Sequence, residues 1–571
     1  MSTQAQPGTD DQPGAASQPG AASQPDIRLM GTRSALIELP DTASVMAWHA
    51  HLSAHPLEHQ IEVIAAARTL LFKASTRRGL DAALPVLRTL TPDAVAAGEV
   101  KRVDIDVVYN GADLEAVAEH YGISVDALID RHTGEEWLAA FGGFSPGFAY
   151  CTARLPDWDT PRRSSPRTTV PRGSVALAGP FSAVYPIDSP GGWQLLGATP
   201  TPVWDLAADP PNRISPGDEI RYRAVTERIE ISPATASGPV SEPARPAATV
   251  TAVGLQALFQ DRGRTGHGDT GVSTSGALDR ASARQANRIL GNPGDATVIE
   301  CLFGGLTVRA DTDLTLAVTG AEAPVTIDGE PAPLRTPLVV PAGSSLAIGT
   351  PQRGIRSYLG VRGGFVATRV LGSTATDTLA RLGPEPIAAG QQLKVPVTAE
   401  LEAVGEPEPD TLPAGDLTAA TLHVVPGPRA DWCAAGELDT LTGQTWTVTR
   451  DSNRIALRLR AAGEGRALRR AAGTGELASE GMVSGAIQVP PEGQPVLFLA
   501  DHPVTGGYPA IATVIAEDLD LAAQLPPGAE VRFALTQPSI PSPGADAAAD
   551  AAGAVPDAAT PVTADQAGDR S

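Results

Sequence analysis

Four arginines lie close together in one proline-rich stretch of the sequence, PRRSSPRTTVPRGS at residues 161–174. A guanidinium group can hold a carboxylate or a phosphate through two parallel hydrogen bonds, so this stretch is a candidate binding loop for an anion. Arg163 and Arg167 are the candidate substrate contacts. The alternative is a solvated basic loop on the surface of an acidic protein, where such charges stabilise little.

A second stretch, FGGFSPGFAY at 141–150, combines aromatic side chains with a backbone of unusual freedom. Aromatic residues alternate with glycine and proline, so the loop presents flat apolar surfaces and free N–H groups. Such a loop suits a small planar ligand, for example an amide or a lactam. A buried aromatic turn is the alternative. The candidate contacts are Phe144, Pro146, Gly147 and Phe148.

A pair of glycines followed by an aromatic residue occurs three times in the chain. The copies are SPGGWQLLGATP at 189–200, RGGFVATRVLG at 362–372 and TGGYPAIATV at 505–514. Each is followed by a glycine turn and a strand-like pattern, which are PGDEIRY at 216–222, AGQQLKV at 389–395 and PGAEVRF at 527–533. Their common order predicts three structurally related units.

The glycine pairs have two interpretations. Glycine permits positive φ and lacks a Cβ, so the backbone can pass close to another backbone or to a ligand. The bland alternative is a strand bulge at the corner of a barrel, closed by the aromatic ring. On the first interpretation the candidate substrate contacts are Gly191, Gly192, Trp193, Thr505, Gly506, Gly507 and Tyr508.

The stretch RGRTGHGDTGVSTSGALDRASARQAN at 262–287 begins with a glycine-rich loop and ends with a helical pattern. Backbone N–H groups in such a loop can surround an oxyanion. It is not a Walker A loop, because no Gly-Lys pair occurs anywhere in the sequence. The candidate oxyanion or phosphate loop residues are Gly266, Gly268, Gly271, Ser275 and Gly276.

Histidines and cysteines give weaker signals. His51, His55 and His59 are spaced for one helical face, but Pro56 interrupts that helix, so we expect a solvated surface and no metal site. The cysteines are far apart and odd in number, which indicates neither a disulfide framework nor a zinc site. None has a recognisable base partner, so we predict no thiol nucleophile.

Length and composition limit the class of protein. With 571 residues, 58 glycines and 52 prolines, the chain suits several domains of short strands joined by tight turns. A formal net charge of −22 argues against a nucleic acid or an anionic membrane as partner, because both need a basic surface. We find no leader pattern and no apolar run approaching about 20 residues, so we expect a soluble cytoplasmic protein. The oligomeric state stays open, including a homo-oligomer.

The patterns along the chain predict an α+β, β-rich architecture, in which a small N-terminal α+β domain precedes tandem β domains. The first and last segments are poor in large apolar side chains and are predicted to be disordered tails. A Pro- and Ala-rich stretch in the middle is interpreted as a linker at the joint of a gene fusion. The boundaries are a tail at 1–26, the α+β domain at 27–140, a β domain at 141–231, the linker at 232–249, β domains at 250–396 and 397–536, and a tail at 537–571.

Several stretches closely resemble one known family. HTGEEWLAAFGGFSPGFAY, PRRSSPRTTVPRGSVALAGPFSAVYPIDSPGGWQLLGATP and SPGDEIRY resemble the B component of the ATP-dependent 5-oxoprolinase, also called the Kip-type kinase inhibitor. TGVSTSGALDRASARQANRILGN, SEGMVSGAIQVPPEGQPVLFLADHPVTGGYPAIATVIAEDL and PPGAEVRF resemble its C component. The chain thus resembles a B–C fusion covering nearly all of 27–535. The same modules form the carboxyltransferase part of the urea amidolyase family.

The resemblance implies cyclophilin-like β-barrels and an activity. That activity is hydrolysis of 5-oxo-L-proline to L-glutamate, driven by ATP with Mg²⁺ and requiring the A component of the enzyme on a separate chain. Arg163 or Arg167 would then hold an anionic oxygen, and the segment 144–148 would pack against the ring. His132 and Asp501 would carry or position protons.

The sequence departs from the C-component pattern in two places. SNRIALRL stands where a Met-Gly pair commonly follows the arginine, and DHPVTGGYP stands where the family often has Asp-Arg-Gln-Thr-Thr. Two other functions therefore stay open. One is biotin-dependent carboxyl transfer to urea or a related amide, with biotin on another chain, because no lysine here lies in a Met-Lys-Met context. The other is a non-enzymatic inhibitor of a histidine kinase.

Overall fold

The structure is a computed structural model that describes residues 25–92, 101–155, 157–226, 243–399 and 401–536. These residues form four domains. We call 25–92 domain 1, 101–226 domain 2, 243–399 domain 3 and 401–536 domain 4. Within these ranges, no helix is long and apolar enough to cross a membrane.

Domain 1 is a four-stranded antiparallel sheet, in the order β1-β2-β4-β3, with two helices on one face. Asp41 and Thr76 cap the helices by accepting backbone N–H groups, at 2.8 Å and 3.0 Å. The elements are β1 (Asp26–Leu29), β2 (Ser34–Glu38), α1 (Thr42–Ala54), β3 (Gln60–Ala65), β4 (Thr69–Ala74) and α2 (Arg77–Thr89).

Domain 2 is a nearly closed barrel. Its seven-stranded sheet has the order β12-β9-β10-β7-β6-β13-β5, and a bridge between Val108 and Ala198 brings the two edges together. The elements are β5 (Arg102–Val107), α3 (Leu114–Tyr121), α4 (Val125–Gly134), β6 (Trp137–Gly142), β7 (Ala149–Ala153), β8 (Arg167–Val170), β9 (Ser174–Ala178), β10 (Phe181–Val184), β11 (Ser189–Gly191), β12 (Gln194–Ala198) and β13 (Glu219–Ala224).

Domain 3 packs a six-stranded sheet and a five-stranded sheet around one apolar core. The elements are β14 (Ala244–Ala252), β15 (Gln256–Gln260), α5 (Arg280–Leu290), β16 (Val298–Leu302), β17 (Thr307–Ala310), β18 (Leu314–Glu322), β19 (Val325–Ile327), β20 (Glu330–Ala332), β21 (Leu338–Val340), β22 (Ser345–Ile348), β23 (Arg353–Val361) and β24 (Gln392–Pro396).

Domain 4 is a closed seven-stranded barrel in the order β25-β32-β29-β30-β27-β26-β33. The predicted β-rich class with tandem barrels is therefore confirmed. The elements are β25 (Ala419–Pro426), α6 (Glu437–Gly443), β26 (Trp446–Val448), β27 (Ala456–Ala461), β28 (Glu480–Gly481), β29 (Ala486–Gln488), β30 (Val496–Phe498), β31 (Thr505–Gly506), β32 (Ala510–Val514), α7 (Leu519–Ala523) and β33 (Glu530–Leu535).

Domains 2 and 4 are copies of one barrel. In each, the last strand pairs parallel with the first strand and antiparallel with the second, as β13 does with β5 and β6, and as β33 does with β25 and β26. Each also buries a tryptophan indole that donates to a carbonyl five residues earlier: Trp137 to His132 at 3.1 Å, and Trp446 to Leu441 at 2.9 Å. The stretches HTGEEW and LTGQTW therefore correspond. Domain 3 shares the glycine-pair motif, but its β24 pairs antiparallel with β14.

The predicted boundaries need three corrections. Asp26 begins a strand and is not part of a tail. Strand β5 and helices α3 and α4 belong to domain 2, because β5 pairs with β13, far along the chain, which no local pattern reveals. Ala244–Ala252 is a paired strand, so the predicted linker extends too far. The predicted tails at 1–24 and 537–571, the predicted linker at 232–242 and the end of the predicted β domain at 227–231 lie outside the described residues.

The sheet of domain 1 is buried on both faces. Ile37 faces α1 and α2, in a core that continues into domain 2. Leu36 and Leu71 face the other way and pack against Met482 and Val504 of domain 4. Because successive strand residues point to opposite faces, the unbroken apolar run of β2 serves two interfaces.

Replacement of Leu36 by alanine tests this double burial. Leu36 is fully buried between two domains, so Leu36→Ala should lower the free energy of unfolding by about 2–5 kcal/mol. The matched control is Leu155→Ala, at a leucine that is 61% exposed and should change stability little. Urea unfolding followed by tryptophan fluorescence measures both variants. Equal effects of the two would contradict the packing described here.

Candidate functional site

The aromatic loop of domain 2 lies where three domains meet. The backbone N–H of Gly147 donates to Thr270 of domain 3 at 2.9 Å, and the N–H of Phe144 donates to the hydroxyl of Thr505 in domain 4 at 3.1 Å. A Cβ on Gly142 would lie 1.9 Å from the carbonyl oxygen of Asp269. Gly142 is therefore required because the backbone of domain 3 passes against the loop. Three predicted site segments therefore meet here: the aromatic loop at 141–150, the glycine-rich loop at 266–276 and the segment 505–508.

An aromatic cluster lies beneath this loop. The Phe148 ring contacts Tyr185 and Trp193, with centroids 5.2 Å and 5.4 Å apart, and all three side chains are buried. A Cβ on Gly191 would lie 2.4 Å from the Tyr185 hydroxyl. The Gly-Gly-Trp motif therefore lets the chain pass directly over an aromatic surface. This agrees with the predicted aromatic plug and also gives the site an apolar floor.

The two candidate arginines share one carboxylate. Arg163 and Arg167 each donate to the same oxygen of Asp113 at 2.8 Å, and the other oxygen accepts the backbone N–H of Leu195 at 2.7 Å. Burial acts to raise the pKa of Asp113, but these donors and both positive charges hold that pKa below its usual value. The backbone N–H of Arg163 also donates to Gly192, at 2.8 Å, so the arginine loop lies beside the Gly-Gly-Trp motif.

The predicted oxyanion loop does bind an anionic oxygen, but the anion belongs to the protein. The N–H groups of Gly266 and Gly268 donate to the buried Glu62 carboxylate of domain 1, which also pairs with Lys73. Burial acts to raise the pKa of Glu62, and Lys73 with these N–H groups lowers it below its usual value. The N–H of Gly271 is taken by Gly268 at 3.0 Å. These donors are therefore not free to hold a phosphate.

Asp501 lies in a buried ionic network between domains 3 and 4. It accepts the Ser275 hydroxyl at 2.7 Å and the Arg454 guanidinium at 2.9 Å. Arg454 also donates to Glu300 and to the carbonyl of Gly276. Although burial acts to raise it, the pKa of Asp501 is held below its usual value by Arg454 and by hydrogen bonds. Asp501 is therefore a fixed anion that joins two domains and not a group placed for proton transfer.

Sequence reasoning missed most of this network. Tyr358 donates to Glu300 at 2.8 Å and accepts the backbone N–H of Asp279, also at 2.8 Å. Gln524 of domain 4 donates to Asp279 at 2.8 Å. Burial and the nearby Asp520 carboxylate raise the pKa of Asp279 to about 7. The sequence offered one sign of this network. Arg454 lies in SNRIALRL, a stretch that departs from the C-component pattern.

His132 lies apart from Asp501, in the core of domain 2. Its ring bonds the hydroxyls of Tyr109 at 2.7 Å and Ser182 at 3.1 Å, and it is fully buried. Burial lowers its pKa to about 3, so the ring is neutral at ordinary pH. The duplicated barrel places Leu441 at the same position. His132 is therefore a core residue, and its predicted role in proton transfer is not supported.

Tyr508 is the exposed member of the third motif. Its side chain is 43% accessible, and its carbonyl accepts the amide of Gln488 at 3.0 Å. A Cβ on Gly506 would lie 2.6 Å from that amide nitrogen, so a larger residue here would displace the Gln488 amide. Gly507 lies beside the carbonyl of Leu477. The Thr505–Tyr508 segment therefore forms one wall of the junction between domains 2 and 4.

Removal of the Arg454 charge tests the network. Arg454→Met would leave Asp501 buried without its cation and Glu300 with only Arg356, at 3.7 Å, and should cost about 3–5 kcal/mol of unfolding free energy. The control is Arg458→Met, at an exposed position on β27, the strand that begins two residues after Arg454. Thermal and urea unfolding measure both. A loss below about 1 kcal/mol for Arg454→Met would mean that the network does not bind the domains together.

The pH dependence of stability tests the assignment of His132. Its folded pKa of about 3 lies below the unfolded value of 6.5, so its stabilisation is complete above 6.5 and is lost as the pH falls towards 3. His132→Gln removes this titration. Between pH 8 and pH 5, wild type should lose about 2 kcal/mol more stability than the variant. Urea unfolding at both pH values gives the difference, and identical pH slopes would contradict the assignment.

Comparison with known proteins places these features in a family. Residues 25–214 match the family described as carboxyltransferase domain, subdomain C and D, and residues 270–535 match carboxyltransferase domain, subdomain A and B. The crystal structure of a protein named TTHA0988 is 30% identical and has a TM-score of 0.76, covering 88% of this chain and 99% of that chain.

Relatives divide along the same line. The chain is 34% identical to the C subunit of Escherichia coli 5-oxoprolinase, over 49% of this chain and 88% of the relative. It is 38% identical to the B subunit of an Escherichia coli 5-oxoprolinase, over 27% of this chain and 72% of the relative. Urea amidolyase of Saccharomyces cerevisiae is 30% identical over 50% of this chain, which spans only 16% of that protein. The chain therefore belongs to the carboxyltransferase-domain family that includes the B and C subunits of 5-oxoprolinase and urea amidolyase, with its B-type and C-type parts fused in one polypeptide.

Proposed function

We propose that this chain supplies both the B and the C component of an ATP-dependent 5-oxoprolinase, which hydrolyses 5-oxo-L-proline to L-glutamate together with a separate A component. One observation carries the proposal. The B-type and C-type parts of the chain meet at hydrogen-bond distance through Phe144 and Thr505, and each belongs to a segment singled out for chemistry. A site shared by the two parts explains why both are present in one polypeptide.

The junction between domains 2 and 4 has two kinds of group that would bind a lactam, an apolar surface and a hydrogen-bond donor. Phe144 is only partly buried and rests on the aromatic cluster, so its ring offers an apolar surface for a five-membered ring. The Tyr150 hydroxyl lies in hydrogen-bond contact with Ser479 and Thr505, and burial raises its pKa, so it stays a neutral donor. Such a donor can stabilise the negative charge that develops on a carbonyl oxygen during hydrolysis.

ATP would supply activation of the unreactive lactam carbonyl by phosphoryl transfer. The predicted phosphate loop does not fit a triphosphate, because Glu62 already occupies the N–H groups of Gly266 and Gly268. Within the described residues, no three His, Cys, Asp or Glu side chains are grouped to hold a metal ion. We therefore propose that the nucleotide and its Mg²⁺ bind to the A component, and we derive no step for them here.

Reconstitution tests the proposal. The full chain, mixed with the cognate A component, 5-oxo-L-proline and Mg-ATP, should release glutamate and ADP in equal amounts. Each protein alone should release glutamate at a small fraction of that rate, because the activating and hydrolysing groups lie on different chains. Enzymatic glutamate determination and ADP determination give both products. Absence of glutamate with a folded A component would disprove the proposal.

The match to urea amidolyase favours one second candidate, carboxyl transfer between biotin on another chain and urea or a related amide. The same protein preparation tests it, with urea and a carboxylated biotin carrier in place of 5-oxo-L-proline and ATP. Incorporation of labelled carbonate into urea, without glutamate release in the first assay, would favour this second function.

A further inference from the structure

The arginine pair of domain 2 carries more positive charge than its partner neutralises. Arg163 and Arg167 donate to one oxygen of Asp113, whose second oxygen is taken by the N–H of Leu195. Two guanidinium groups therefore share one carboxylate, which leaves one surplus positive charge. The Asp113 side chain is 5% exposed, so water reaches this carboxylate poorly.

Two donors of this pair have no acceptor. Nε of Arg163 and Nη1 of Arg167 are buried and make no hydrogen bond in the described part of the chain. A buried donor without an acceptor costs about 1–3 kcal/mol, so such groups need an explanation. A single carboxylate carries one negative charge on two oxygens. It would therefore neutralise the surplus charge and accept a hydrogen bond from each unmet donor.

The duplicated barrel supplies an internal comparison. In the corresponding loop of domain 4, which also follows the third strand, Arg466 and Arg469 both donate to the buried Glu437. Glu437 lies at the start of α6, the counterpart of α4, whereas Asp113 lies at the start of α3. Arg466 and Arg469 are 45% and 67% exposed, compared with 35% for Arg163 and 21% for Arg167. Tying the helix start to the following loop is therefore a property of both barrels. The two pairs differ in their donors: in domain 2 each paired arginine has a buried donor without an acceptor among the described residues, and in domain 4 neither Arg466 nor Arg469 has one.

The surroundings of the pair suit a small ring. The N–H of Arg163 donates to Gly192, and Gly191 lies against the Tyr185 hydroxyl, so the arginines border the aromatic floor. Arg162, next in the loop, lies 3.7 Å from Glu476 of domain 4 across the junction. The arginine loop and the aromatic cluster are therefore neighbours in domain 2.

We propose that Arg163 and Arg167 bind the carboxylate of an anionic lactam and thereby make the enzyme select anionic over neutral amides. This inference rests on the proposed function and adds the residues that bind the carboxylate of its substrate. A neutral amide such as urea would leave both donors unmet. A nucleotide phosphate has the same oxyanion chemistry, and the experiment separates the two sources.

The test uses the full chain with the A component and four variants. Arg163→Gln and Arg167→Gln remove the pair in domain 2, and Arg466→Gln and Arg469→Gln are the matched controls in domain 4. The domain 2 variants should raise KM for 5-oxo-L-proline about ten- to a hundredfold, since a charged hydrogen bond is lost. KM for ATP and kcat/KM for the neutral ring analogue 2-pyrrolidone should change less than threefold, and the control variants should leave all three constants near wild type.

Calorimetric binding of 5-oxo-L-proline to the chain alone provides a readout independent of turnover. Binding by wild type that Arg163→Gln abolishes would support the carboxylate site even if reconstitution released no glutamate. Equal losses in the domain 2 and domain 4 variants would show that the pair only ties helix to loop. A raised KM for ATP with an unchanged KM for 5-oxo-L-proline would assign the pair to phosphate, and absence of both turnover and binding would overturn the inference.

Discussion

The ionic network around Arg454 is the constraint on which the arrangement of the C-type half depends. One guanidinium, fully buried, pairs with Asp501 of its own domain and with Glu300 of domain 3. Removing these charges from water is costly, and the cost is offset only while all partners stay in place. Arg356 lies 3.7 Å from Glu300, so two cations balance two anions. The two β domains of the C-type half therefore have one low-energy arrangement.

The glycine-rich segment 262–279 transmits this constraint to the candidate site. In each duplicated barrel, the loop after the second strand contacts this segment 262–279, and the two loops approach it from different domains. Gly147 of domain 2 donates to Thr270, and Arg454 of domain 4 donates to Gly276. Since Glu62 of domain 1 also holds this segment, all four domains fix its position. The backbone N–H groups of Gly266 and Gly268 in this segment therefore serve domain assembly.

Duplication explains which features are structural and which are specialised. Both barrels bury a tryptophan that donates to the helix before the second strand, and both tie a helix start to the loop after the third strand through an acid and two arginines. Shared features of this kind stabilise the barrel. Differences between the copies are better candidates for function, and they include the aromatic loop at 141–150 and the partly buried arginine pair. Because the other barrel has Leu441 at the position of His132, the comparison argues against His132 as the proton-transfer residue that the family resemblance implied.

The β-rich class, the three glycine-pair motifs, the aromatic and arginine loops and the family could all be predicted from the amino-acid sequence. Local patterns and long motifs carry that information, because turns, alternation and side-chain chemistry are encoded within a few residues. Three other features emerged only in the folded chain: β5 belongs to domain 2, Glu62 fills the glycine loop, and Asp501 meets Arg454. Each of these depends on a partner more than 40 residues away, so its physical cause, the pairing of buried polar groups, appears in no local pattern.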